Sequence, residues 1–331
     1  MNKTLVNQRF STELLRVLGM SIVFLSHFLD TVRMPRGAWF TIFHAAGPQL
    51  FFALSGYCLS LRYRELPSWK DYYRSRFLAL MPLYYLTFLL FYPIQAFLYG
   101  NPFYGGPFWK LVFTLTASDM YVTFFYIPTY AVIGEWFSFI ILLLYAAFPL
   151  LRRLMQRHSL LTSAVILAGF LANWKFRFIP ITPEASPFTG LLSFWGGMMA
   201  QKYMPLMEKR RGVSAPLCAA VCVGIFLAPC PKFFCALALA VFGMTFLLLI
   251  LPKESPLGTP VLRFLAGNSY SFYLCHHFLI LRAAALGGPL CASRPGMLAL
   301  CAITAAISLL CAWCINQLYA FLIRRVRSNH A

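Results

Sequence analysis

The sequence predicts an all-α, multi-pass integral-membrane bundle of about ten transmembrane helices, with both termini in the cytoplasm. Three observations predict it. Of the 331 residues, 60% are hydrophobic and only 11% charged, whereas soluble domains carry roughly 25% charged residues. Apolar runs long enough to cross a hydrocarbon core recur along the whole chain, separated by short polar loops. The basic residues alternate between those loops: nineteen of the 28 Lys and Arg fall in one alternate set, seven in the other, and Arg16 and Arg282 lie within spans. Such a bias sets orientation in a membrane. It also disposes of nucleic acid as the reason for the net charge of +19, because the charge gathers on no polar domain.

The spans follow in order at 14–32, 39–61, 77–99, 130–151, 159–174, 188–203, 214–230, 233–251, 264–285 and 296–322. The first is preceded by Lys3 and Arg9, contains Arg16 and lacks a small-residue cleavage site, so it reads as a retained span. Spans 159–174, 188–203 and 214–230 are short, which suits helices packed inside a bundle or tilted less. The stretch Leu111–Ile127 is apolar, but it holds Asp119 and is bounded by Pro107 and Pro128. Counting it as a span would invert every later loop against the charge bias, so it reads as an outer interfacial or re-entrant segment. Trp109, Tyr121 and Tyr126 suit the headgroup region. A single transmembrane domain over 1–331 is expected, with no soluble domain appended.

Ten cysteines do not make a disulfide framework here. Most sit inside apolar runs, where cysteine behaves as a small hydrophobe. Cys311–Cys314 is a CxxC with no βαβ pattern or second pair beside it, so helix packing is expected in place of redox or metal chemistry. Cys230 and Cys291 fall in expected outer loops and have the placement to pair, but nothing requires it.

Leu14–Arg33, LLRVLGMSIVFLSHFLDTVR, organises the chain. Arg16 and His27 are eleven residues apart, which is about 16 Å of rise and three turns plus about 20°. They share one face of one helix. Ionisable groups at that depth are costly unless they line a cavity or meet partners, so they mark a site. A snorkelling arginine and a packing histidine are the competing readings of each residue taken alone.

At these residues the chain resembles the membrane acyltransferase-3 family, whose first helix carries Arg, ten residues, then His. Gly47–Leu59, GPQLFFALSGYCL, is similar to the family's second-helix motif. Tyr73–Tyr84, YRSRFLALMPLY, resembles its basic lead into helix three, and Gly267–Phe278, GNSYSFYLCHHF, its late S-Y-S-x-Y-L-x-H. The four matches come in family order from residue 16 to 278. The resemblance implies an O-acyltransferase moving an acyl group, most simply acetyl, from cytosolic acyl-coenzyme A to a hydroxyl of a cell-surface polysaccharide or its lipid-linked precursor. The expected setting is the cytoplasmic (inner) membrane, with the lipid bilayer, acyl-CoA and the glycan as partners and no metal.

The resemblance makes His27 the catalytic histidine, as general base or as a transiently acylated relay, and Arg16 a donor-binding or site-organising residue. An imidazole with an unperturbed pKa of about 6.5 suits a base near neutral pH. Lys70, Arg74 and Arg76 fall where the family binds donor phosphates, although Ala79 replaces its second arginine. Glu135 is the clearest carboxylate inside a span and matches a family glutamate without its preceding tryptophan, Tyr130 standing instead. It would orient His27 as a triad carboxylate does; Asp30 is a rival partner. His44, Ser55, Ser269, Tyr273 and His276 are candidate cavity residues. Ser269, Tyr273 and His276 share a face by 3–4 spacing, and His277 is expected to point elsewhere. Ser55–Gly56 reads first as a helix-packing pair.

Two other function classes fit parts of the pattern. Arg16, Glu135 and His27 could form the relay of a small-molecule transporter, although no internal repeat is evident. A membrane sensing module without turnover would need an appended domain.

Overall fold

A computed structural model describes residues 9–34, 37–253 and 259–328, and among them every regular element is helical. The helix over 214–230 stops at Leu227, and 130–134 is an irregular link ahead of a helix that starts at Glu135; otherwise the expected spans lie within the observed helices, give or take a residue. These are α1 (Arg9–Thr31), α2 (Ala38–Arg62), α3 (Trp69–Tyr99), α4 (Glu135–Arg157), α5 (Ser159–Phe176), α6 (Pro187–Lys209), α7 (Arg211–Leu227), α8 (Lys232–Ile250), α9 (Thr259–Leu286) and α10 (Arg294–Ser328). Six of them, α1, α3, α4, α5, α8 and α10, are long and apolar enough to cross a membrane by length and composition. The apolar runs explain the helices: with no water to satisfy a backbone in hydrocarbon, hydrogen bonds must close within each segment.

The helices outrun the apolar stretches where polar residues extend them. α3 starts at Trp69, eight residues before its apolar run, because WKDYYRSR is itself a good helix start with Asp71 in the first turn. α8 is interrupted at Leu239–Gly243 by one π-helical turn. The ambiguous stretch after α3 is no single helix: a 3-10 turn (Phe108–Lys110) and two five-residue helices, Leu111–Leu115 and Asp119–Thr123, carry it. Ala117 and Tyr126 break it by adopting left-handed backbone, φ 57° and 59°.

The chain forms two compact units. The first comprises the chain up to Ser26, Pro35–Trp69 and Ile140–Ala266; the second comprises His27–Met34, Lys70–Phe139 and Gly267 onward.

In the first unit α2 and α6 cross in close contact. A Cβ on Gly197 would stand 1.8 Å from the Ala53 carbonyl oxygen, and one on Gly56 2.0 Å from that of Phe194. Only glycine permits such contact, and Gly56 is therefore a packing position, as membrane helices commonly use. Buried polar bonds reinforce the crossing. Ser193 Oγ donates to Gln49 Oε1 at 2.8 Å, and Gln49 Nε2 donates to the Glu184 carbonyl at 2.9 Å. Leu50, Leu54, Tyr57, Met204, Met244 and Leu248 form the apolar core beside it.

In the second unit α9 packs on α10 through a buried polar chain. Ser271 Oγ donates to Asn316 Oδ1 at 2.9 Å, and Asn316 Nδ2 donates to Asn268 Oδ1 at 2.7 Å. Such satisfied networks hold helices together where hydrophobic burial gives little selectivity. Phe91 of α3 packs on Phe278 of α9, ring centroids 4.7 Å apart.

All ten cysteines are free thiols, Cys230 and Cys291 included. Among the described residues no group of His, Cys, Asp and Glu is placed to hold a metal ion.

Candidate functional site

The second unit contains a cavity of about 250 Å³. Its walls come from one end of each contributing helix: His27 near the end of α1, Gln95 and Tyr99 at the end of α3, Trp136 at the start of α4, and Tyr273 to Arg282 toward the end of α9. The link 131–134 and Met120 complete it. Gly134 lets that link lie against α9, since a Cβ there would stand 3.0 Å from the Tyr273 hydroxyl.

Three imidazoles meet in it. The His27 ring lies 5.3 Å from that of His276 and 5.2 Å from that of His277. His277 was expected to point away, being about 100° round the helix from its neighbour. It reaches the cavity because His27 approaches α9 between the two directions, so both rings converge on a third. His276 is almost fully buried, 1% exposed. Its Nδ1 lies 2.6 Å from the Tyr273 carbonyl oxygen, which can only accept, so Nδ1 carries the proton. In the neutral ring Nε2 then holds the lone pair, and it is buried with no hydrogen-bond partner among the described residues. A fixed tautomer with a bare lone pair is what proton abstraction needs.

Two further polar atoms in the same cavity are buried without a partner among the described residues: Gln95 Oε1 and Arg282 Nε. The Arg282 guanidinium lies over the Phe278 ring, 5.6 Å from its centroid. No carboxylate is found among the described lining residues.

The other expected site residues are placed as follows. Tyr273 lines the cavity with His276, whereas Ser269 is buried one turn earlier on α9 and does not. Glu135 is the first residue of α4; its side chain lies outside the described residues. Lys70 and Arg74 are exposed at the start of α3, and Arg76 is half-buried, its Nε donating to Ser75 Oγ at 3.3 Å. From Arg76 to Gln95 along α3 is nineteen residues, about 28 Å of helix. The basic set and the histidine cavity thus occupy opposite ends of one rod.

Arg16, His44 and Ser55 belong to the first unit. Arg16 is exposed, with its guanidinium against the Cys58 sulfur. His44 stacks on Phe40 at 5.5 Å and stands 3.9 Å from Glu184 Oε1. Ser55 is half-buried beside the α2–α6 crossing.

Gln95, Tyr99, Trp136, His277 and Arg282 were not singled out by the sequence. Arg282 carried a readable signal, an arginine inside an apolar run. Gln95 and Tyr99 carried none, because only the meeting of helix ends selects them.

A protein-family model described as an acyltransferase domain matches residues 10–313. No curated protein and no solved structure matches the chain.

Proposed function

From the premise that this chain belongs to the membrane acyltransferase-3 family, and is therefore a membrane-embedded acyltransferase, we propose that it moves an acetyl group from cytosolic acyl-coenzyme A to a hydroxyl of a cell-surface polysaccharide or its lipid-linked precursor. We read all ten helices, α1 to α10, as crossings of the cell membrane, with both termini cytoplasmic, as the distribution of Lys and Arg favours.

The observation that carries this reading is the three-imidazole cavity at the far end of α3 from its basic start. Lys70, Arg74 and Arg76 would receive the donor's phosphates, Arg bidentately where geometry allows. Arg16, exposed on α1 of the first unit, keeps the donor-binding role that the family resemblance gives it. His27 would take the proton of the acceptor hydroxyl as it attacks the thioester carbonyl. The tetrahedral oxyanion needs a fixed donor, and the Tyr273 hydroxyl, which lies in the cavity wall, suits that role. On collapse the carbon–sulfur bond breaks, the imidazolium returns its proton to the leaving thiolate, and an ester and free coenzyme A result. His276, its tautomer fixed by Tyr273, is held against His27 and can share the proton. Glu135, at the start of α4, would orient His27.

The test is transfer of radiolabelled acetyl from acetyl-CoA to envelope glycan by purified protein. His27→Ala is expected to abolish transfer, by at least about a hundredfold for loss of a general base, while the protein still inserts and purifies as wild type does. Wild-type activity in that variant would overturn the assignment.

A further inference from the structure

Three orphan atoms in the histidine cavity describe what it is built to hold. His276 Nε2 and Gln95 Oε1 are acceptors and call for hydroxyl or N–H donors; Arg282 Nε belongs to a permanent cation and calls for an anion. A buried polar atom left without a partner costs on the order of 1–3 kcal/mol, more when charged. Three in one cavity are better understood as the imprint of a ligand than as independent defects. Trp136 and Tyr99 add aromatic surface of the kind on which a sugar ring lies. The volume, about 250 Å³, has room for one sugar-sized group.

We propose that this cavity is the acceptor subsite and that the acceptor unit it takes is an acidic sugar, its carboxylate or phosphate held by Arg282 and its hydroxyls by Gln95 and His276. The assignment rests on the acyl-transfer reading for the word acceptor, but the binding it describes does not. Arg282 is the only residue of permanent charge among the described lining residues, so the site selects for charge of one sign. The hydroxyl that hydrogen-bonds to His276 Nε2 is then within the three-imidazole group that removes its proton.

The test uses the full chain purified in detergent, with glucuronate, glucose 6-phosphate and glucose as probes, and binding followed by tryptophan fluorescence. Wild type is expected to bind at least one anionic probe about tenfold or more tighter than glucose, the worth of one charge-assisted hydrogen bond. Arg282→Gln is expected to lose that preference; Arg282→Lys, which keeps the charge and loses the planar fork, is expected to retain part of it. If Arg282→Gln does not purify as a folded protein, the Lys variant and the wild-type comparison decide. Preference for glucuronate alone assigns a uronate-like acceptor, preference for the phosphate alone a phosphorylated precursor, and equal preference a site that reads charge only. Equal affinity for glucose and both anions in wild type, or a preference intact in Arg282→Gln, overturns the proposal. Anion preference without any acetyl transfer from acetyl-CoA leaves the subsite standing and removes the enzymatic reading. Transfer without anion preference does the reverse.

Discussion

His276 shows how one backbone contact decides what a side chain can do. Donation from Nδ1 to Tyr273 O fixes the ring and leaves Nε2 to the cavity. Asparagine can reproduce the donor but not the distal lone pair. His276→Asn is therefore expected to fold and bind donor with unchanged KM, while kcat falls about tenfold or more; a wild-type kcat would show that His276 only packs. Asp119 gives a pH dependence with a definite sign. It is fully buried in the short helix after Ala117. The Thr114 and Thr129 hydroxyls and the Tyr130 N–H stand near enough to favour its carboxylate but outside hydrogen-bonding geometry, and burial outweighs them, pushing its pKa up to about 6. A folded-state pKa above the unfolded one means the native protein binds the extra proton. The stability from that proton is full below about pH 4 and is lost as pH rises through about 6. Asp119→Asn should stabilise the protein at pH 7.5 by up to about 3 kcal/mol, read as a higher thermal midpoint, and the gain should vanish near pH 4. A gain of equal size at both pH values would mean the effect is not titration.

At the scale of the element, α2 and α6 are defined by what they lack. Gly197→Ala would drive a methyl into the Ala53 carbonyl. The crossing cannot close without moving backbone, at a cost of several kcal/mol, beyond the usual 1–3 kcal/mol of overpacking. The expected outcome is poor yield of folded protein; Gly212→Ala, where a Cβ meets nothing within 4 Å, is the control that should be neutral. The helices themselves were legible because apolar runs of membrane length, broken by Pro and charge, read directly as spans. Their polar ends were not: hydropathy sees the run, so α3 lost its first eight residues and α9 its first five. His27, Tyr273 and His276 could be found from motifs on single helices. Gln95, His277 and Arg282 join them only because four helix ends meet, and no one-dimensional pattern encodes which faces converge. Gly56 was legible as packing, since small residues in a membrane helix announce close approach.

For the whole molecule, the distribution of basic residues makes a prediction about sides. An epitope inserted beside Tyr126, which is 97% exposed, should be reached by antibody in intact cells, and one placed beside Arg74 only after permeabilisation. Both reached, or the pattern reversed, would overturn the orientation and with it the route proposed for the acyl group. On the proposed reading, the cationic patch at one end of α3 would hold the nucleotide of the carrier in the compartment that makes and recycles it. Only its thioester-bearing arm would reach the cavity at the other end. A cell so equipped would modify its exterior without exporting a costly metabolite, and the spent thiol would withdraw to where it is recharged.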